Sequence, residues 1–347
     1  MGKYSSAGKV LAGLMLTIPL LFVIVPLLAS ADDVFRYFIE QIPNLFKNID
    51  LGEFIPRLLI VTMVTCLVFS YVWSLIYPKL GLTNSNIKIQ SPGAFLDPIT
   101  VTTLLILIDL LYVFFIAIQF SYLFGSLTDG LPHNFTYAQY ARKGFFELVA
   151  VTFINLVILI GNMNFVKASG GTIDKVVKVL NTTLVVSTFI MLVSAHLRMS
   201  LYEAAYGFTY LRILTHAFMG YLFMLFSAAL LKIWRQSIPL VKSFIVISIT
   251  AYTLLNYINV DKLIVNNNIE RYNQGNPIDI SYLTTLSYDA VPELVDFVNR
   301  TSNQELAAKL KDNLNHRREG IERGASWQSF NISKYRAKES LKELSSQ

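Results

Sequence analysis

Charge and cysteine are both scarce in this chain. Only 15% of its 347 residues are Asp, Glu, Lys or Arg, where soluble domains carry roughly 25%. Hydrophobic residues make up 54%, and the mean hydropathy is +0.50. The charge deficit excludes a soluble single domain, and the apolar excess excludes disorder. A single cysteine, Cys66, lies in an apolar run, which excludes a disulfide framework or a Cys-based metal site within one chain. The four histidines, His133, His196, His216 and His316, are scattered. No His-Glu-x-x-His zinc pair, Gly-x-Ser-x-Gly elbow or phosphate-binding P-loop occurs. Accordingly no catalytic residue, metal or cofactor is assigned, and an enzyme is the less favoured class.

What is present is long apolar runs. A bilayer-crossing helix needs roughly 20 mostly apolar residues, and seven stretches qualify: 10–28, 58–77, 99–124, 145–163, 176–195, 213–231 and 243–258. None has the period-two alternation of a membrane barrel, so the expected fold is all-α, an integral membrane protein of about seven transmembrane helices. Residues 1–259 form the predicted bundle and 260–347 a small helical extramembrane region. From Val260 on, 12 basic residues balance 12 acidic ones, so the net charge of +6 lies wholly in the membrane part. Cationic loops there face anionic lipid, which makes the bilayer the implied partner and excludes nucleic acid. With the N-terminus inside, the inner loops carry ten Lys or Arg and the outer loops seven. That bias places the N-terminus inside and the C-terminal region outside a multi-pass membrane protein. The first residues imitate a signal peptide ending at Ala29-Ser30-Ala31, but the apolar run is too long and holds Pro19 and Pro26, so a retained membrane helix is expected.

Beyond Asn259 helix punctuation appears. Asp261 is placed to cap a helix running to about Tyr272. Ser281 and Ser287 each open a short helix, the second with Pro292 and Glu293 near its start. A longer helix over 303–323 ends before Gly324, and a last one follows Trp327. This region is large enough for a modest core and is a candidate surface for a membrane-protein partner.

Polar residues inside apolar spans carry the functional argument. Asp109 lies well inside the third span, where an ionised carboxylate costs roughly 2.5–3.5 kcal/mol on insertion scales. It shares a face with Thr102, Tyr112 and Gln119 and reads as an ion-coupling or a structural acid. The seventh span has a stripe of Ser248, Tyr252, Asn256 and Asn259, the pattern of interhelical hydrogen-bond glue. Asp32-Asp33 is an acidic pair in a loop with no assigned role. The connection between spans five and six is the richest in polar groups. If helical, it sets Arg198, Tyr202, Thr209, Arg212 and His216 on one face, with Glu203 beside them. Two guanidiniums on one face suit a phosphate or carboxylate, and the tyrosines suit a lipid headgroup or sugar. Arg198, Tyr202, Glu203, Arg212 and His216 are therefore the candidate ligand-binding set. The bland alternative is an interfacial helix pairing Arg198 or Arg212 with Glu203, and Gly207 is placed to break the face.

Five segments carry a resemblance. They are Leu27-Leu28-Ala29-Ser30-Ala31-Asp32; Tyr140-Ala141-Arg142-Lys143-Gly144-Phe145-Phe146-Glu147-Leu148; the stretch from Arg198-Met199 to Arg212; Asn259-Val260-Asp261 with Asn268-Ile269-Glu270-Arg271-Tyr272; and Ile278-Asp279-Ile280-Ser281-Tyr282-Leu283 running on to Asp289-Ala290-Val291-Pro292. Together they resemble a bacterial multi-pass membrane family known only as a domain of unknown function. The resemblance implies a protein of the bacterial cytoplasmic membrane with no assigned reaction. Members with further spans before the Ala-Ser-Ala-Asp segment make this chain either a short member or one lacking an N-terminal half. The expectation is thus a transporter-like or sensory membrane protein handling a small polar or lipid-derived ligand. The alternatives are a scaffold or subunit of a cell-envelope complex and, behind it, a membrane enzyme on lipid-linked substrates.

Overall fold

The computed structural model describes residues 6–41, 96–123, 144–167, 171–323 and 331–345. Its element order is α1 (Ser6–Ala31), α2 (Asp33–Gln41), α3 (Pro98–Leu123), α4 (Phe145–Phe165), α5 (Thr172–Tyr206), α6 (Tyr210–Trp234), α7 (Leu240–Tyr257), α8 (Val260–Asn273), α9 (Ile280–Leu283), a 3-10 turn over Tyr288–Ala290, α10 (Val291–Arg300), α11 (Gln304–Arg323) and α12 (Ile332–Ser345). Among the described residues there is no strand, only an isolated bridge between Leu96 and Val166. Six helices, α1 and α3 to α7, are long and apolar enough to cross a membrane. The chain is therefore an all-α integral membrane protein. Six of the seven predicted spans are found, and the second, 58–77, lies outside the described residues together with Cys66. Exposed side chains such as Leu110, Leu211 and Ile249 are a liability in water and ordinary in lipid, where backbone groups rather than apolar surface must be hidden.

The helices fall into two compact units, drawn from within 1–135, 143–195 and 226–240 for the first and 136–142, 196–225 and 241–347 for the second. In the first unit, α1 packs on α3 and α4. Gly13 of α1 lets α3 come so close that a Cβ there would stand 2.7 Å from the Thr100 carbonyl oxygen and the Thr103 Cβ, the small-residue contact typical of membrane helices. Thr100 Oγ1 donates to the Lys9 carbonyl (3.0 Å), and Lys9 Nζ pairs with Asp97 at 2.6 Å. Gly144, with φ +86°, abuts Ala31 so tightly that no side chain fits, and Ser30 Oγ donates to Glu147 Oε1 at 3.2 Å. Two of the five resemblance segments thus meet here. The acidic pair is local: Asp32 caps α2 by accepting from Val34 and Phe35 N–H groups, and Asp33 pairs with Arg36. A polar seam joins α3, α4 and α5: Tyr112 Oη donates to Asn155 Oδ1, Asn155 Nδ2 to Thr188 Oγ1, and Asn162 Nδ2 to Asn181 Oδ1.

In the second unit the C-terminal helices share one apolar core, which includes Ile264, Val291, Leu294, Leu310 and Leu341. The punctuation is as expected in kind and shifted in detail. Asn259 caps α8, accepting from Lys262 N–H, while Asp261 accepts from Ser287 N–H. Asp279 rather than Ser281 caps α9, and Ser287 caps the 3-10 turn. Arg317 of α11 ties that region together by donating to the carbonyls of Ser287, Thr284 and Leu286. Of the predicted stripe, Ser248 meets Tyr221 Oη of α6 at 2.8 Å, and Asn259 is the cap of α8. Asn256 bonds within α7, and Tyr252 is exposed.

Candidate functional site

The polar stretch between spans five and six is helical as far as Tyr206, so α5 continues eleven residues past the predicted span end at Ala195. It then breaks. Gly207 takes φ +83°, and its N–H donates to the Glu203 carbonyl at 2.8 Å. A left-handed residue at this place is a common helix stop, and glycine adopts it without strain. The break ends the single face that would have aligned Arg198 with Arg212 and His216.

The last carbonyls of a helix have no partner within it, and here two guanidiniums supply them. Arg271 of α8 donates from Nε to Ala204 O and from Nη2 to Ala205 O, each at 3.1 Å. Arg212 of α6 donates to Tyr206 O at 3.2 Å and to Gly207 O. Positive charge at a helix C-terminus also opposes the helix dipole. Burial first, and then the neighbouring Arg212 charge, lower the pKa of Arg271. Asn268 completes the clamp. Its side chain accepts from Phe208 N–H (3.0 Å) and donates to Phe208 O and Ile264 O (2.9 Å each). Tyr210 N–H donates to Tyr282 Oη at 2.8 Å. Three resemblance segments converge on this turn.

Under the clamp lies a cleft of about 500 Å³ walled by α5, α6 and α8. Its lining includes His196, Ser200 and Glu203 of α5, His216 of α6, and Asn267, Glu270 and Arg271 of α8. Glu203 is 4% exposed. Its Oε2 lies 2.9 Å from His216 Nε2, and the other ring nitrogen, Nδ1, lies 2.8 Å from His196 Nδ1. The two rings meet edge to face at 4.6 Å between centroids. Glu203 Oε1 is buried with no hydrogen-bond partner among the described residues.

The candidate set therefore divides. Glu203 and His216 come into direct contact at the cleft wall. Tyr202 and Arg212 stack, the guanidinium carbon 4.3 Å from the ring centroid, a cation–π contact. Arg198 is buried on α5. Neither Arg198 nor Arg212 is among the described residues lining the cleft. Asp109 belongs to the other unit, on α3. It is 4% exposed, and neither carboxylate oxygen has a hydrogen-bond partner among the described residues; both side-chain polar atoms of Gln119 on that helix are in the same condition. Three residues of the site, His196, Asn268 and Arg271, stand outside the candidate ligand-binding set. His196 lies seven positions before Glu203, two turns along one helix face, a signal available once α5 is known to be continuous. Asn268 and Arg271 sit sixty or more residues from the turn they clamp, and nothing in local spacing announces that. Among the described residues no group of three or more His, Cys, Asp or Glu is placed to hold a metal ion.

Comparison with curated proteins and with solved structures gives no match. One family model does match, a domain of unknown function (DUF4153), over residues 1–297. Because that match takes in every described membrane-crossing helix, both guanidinium clamps and the whole cleft, the chain belongs to the DUF4153 family.

Proposed function

We propose that this integral membrane protein handles a small polar ligand in the cleft beneath the α5–α6 turn, in the manner of a transporter or sensor. The observation that carries the reading is Glu203: a carboxylate almost wholly buried, held through one oxygen and open at the other, in the wall of a cleft about 500 Å³ in volume. An unmet buried acceptor is costly, and a ligand N–H or O–H supplies what it lacks. Glu270 adds a second acid to the wall, and Arg271 has donors committed to backbone carbonyls. The cleft thus suits an amine or a hydroxyl-rich headgroup better than a phosphate. Arg198 and Arg212 then act as structural cations, and Tyr202 supports Arg212. Asp109 is a separate buried acid, an ion-coupling or structural group of the first unit.

Thermal shift of the protein in lipid nanodiscs tests this, with small amines and polyols set against carboxylates and phosphates. Amines or polyols should stabilise the native protein and not Glu203→Gln. No stabilisation by any of them, or equal stabilisation of both proteins, removes the proposal. A second reading, a scaffold or envelope-complex subunit, draws on the C-terminal helices, which hold a core of their own and stand ready to present a partner surface. A stoichiometric partner copurifying through residues 260–347 would favour it. In either reading residues 1–259 are the bundle of a bacterial cytoplasmic-membrane protein, N-terminus inside and C-terminal region outside.

A further inference from the structure

The contacts of Glu203, His216 and His196 form an unbroken hydrogen-bonded chain. His196 and Glu203 stand two turns apart on one face of α5, about 10.5 Å along the axis, and the imidazole of His216, from α6, fills the gap with both its nitrogens. That arrangement fixes the tautomers. An ionised Glu203 only accepts, so His216 Nε2 carries a hydrogen. Neutral His216 then has a lone pair at Nδ1, which accepts from His196 Nδ1–H and leaves a lone pair at His196 Nε2.

We infer that Glu203, His216 and His196 are a proton path, carrying a proton between the exposed imidazole of His196 and the buried carboxylate. A proton arriving at His196 Nε2 lets His196 Nδ1–H pass to His216 Nδ1, and His216 Nε2–H pass to Glu203 Oε2. The end state has Glu203 neutral and donating to His216 Nε2, with His216 Nδ1–H donating to His196 Nδ1. Both hydrogen bonds survive with reversed direction, both rings are neutral before and after, and one proton has moved in. The two states are mirror images, which is what a reversible relay requires. Among the described residues, Glu270 and Arg271 of α8 share the cleft wall with the trio, while Arg198 and Tyr202 of α5 and Arg212 of α6 are nearby in the two helices and do not line it. Arg212 and Arg271 donate to backbone carbonyls, and Glu270 shares the cleft wall with Glu203. The use of the path rests on the ligand reading of the cleft: a cationic ligand at Glu203 takes the place of the delivered proton, so that its binding releases a proton through His196.

The deciding measurement needs no ligand. Full-length protein with ¹⁵N-labelled histidine, in nanodiscs, with His133→Gln and His316→Gln to leave only the two rings, is followed by NMR across the histidine and carboxylate titration range. As the pH falls, His196 should change from the Nδ1–H to the Nε2–H tautomer, and His216 from Nε2–H to Nδ1–H. Both should change over the same interval, each nitrogen shifting by the full difference between a protonated and an unprotonated ring nitrogen, with no imidazolium signal. In Glu203→Gln the same first protonation should yield an imidazolium, because the far acceptor for the proton is gone. If the Gln variant does not fold, the native titration still decides. Imidazolium formation on first protonation of the native protein, or separate titration of the two rings, overturns the relay. A tautomer exchange in a protein that binds no amine or polyol leaves the relay standing and removes the ligand reading, and the converse result does the opposite.

Discussion

Gly207→Ala is the sharpest test of the clamp that shapes the cleft. The residue has φ +83°, a conformation that costs a residue with a Cβ roughly 1–2 kcal/mol. The new methyl would stand 2.5 Å from Asn268 Oδ1 and 2.9 Å from an Arg271 guanidinium nitrogen, so both side chains must withdraw. Withdrawing Asn268 breaks its two bonds to Phe208, at about 1 kcal/mol each. The smaller backbone entropy of the unfolded alanine chain returns roughly 0.4–1 kcal/mol. The net loss is about 3 kcal/mol, or roughly 6–12 °C in the unfolding midpoint of a unit this size. Gly220→Ala is the control. Gly220 lies inside α6, and a methyl there would meet no described atom within 4 Å, so alanine should stabilise by roughly 0.5–1 kcal/mol. Thermal unfolding of both variants in one detergent should therefore give shifts of opposite sign. A Gly207→Ala midpoint equal to that of Gly220→Ala would refute the account of the turn.

Three further outcomes follow from contacts elsewhere. Gly13→Ala should cost about 1–3 kcal/mol by overpacking, read as earlier unfolding in denaturing detergent, because the methyl has no space against Thr100 and Thr103; an unchanged midpoint would mean that α1 and α3 do not approach as described. Arg317→Ala should loosen the C-terminal core by about 3 kcal/mol, since three backbone carbonyls lose a charged donor at once. Arg317→Lys should restore only part of this, and limited proteolysis near Thr284 reports it. At Asp97 burial by itself would raise the carboxyl pKa, but the Lys9 ammonium and the Ile99 N–H outweigh it and hold the group below its ordinary value. Its contribution is therefore complete above the unfolded-state pKa and fades as the pH falls through the folded one. The stability gap between native protein and Asp97→Asn, roughly 0.2–1 kcal/mol for a partly exposed pair, should close in acid, and a gap independent of pH would sink this.

The membrane architecture was legible because lipid imposes a length and a composition on each span, and both can be read residue by residue. The burial of Asp109 and Tyr112 followed from their positions within such a run. Hydropathy reports immersion in lipid, not helix continuity, so the extension of α5 from His196 to Tyr206 was hidden by its own polarity. The paired arginines were legible as residues, and Gly207 as the place where their shared face would break. A single glycine turned Arg212 back onto the helix that precedes it, and the second guanidinium of the clamp came from α8 rather than from Arg198. The Glu203–His216 contact was within reach of the sequence, since both residues were singled out. Its geometry was not, because it depends on the angle at which α6 leaves the turn.

The cost of Glu203 argues that it is more than a packing residue. It occupies the last turn of α5, where the negative end of the helix dipole disfavours a carboxylate by roughly 0.3–1 kcal/mol. Taking a carboxylate out of solvent is costly, and Oε1 has no hydrogen-bond partner among the described residues. Glutamine at this position would keep a hydrogen bond to His216 and avoid two of the three costs. The two guanidiniums at the helix end offset the dipole from the backbone side and leave Oε1 without a partner among the described residues. A site that needs only a firm turn has no use for that arrangement. The proposed exchange of a proton for a donor ligand needs an acid that is never fully satisfied, and Glu203 has that form: Oε2 meets His216 Nε2 and Oε1 meets no partner among the described residues.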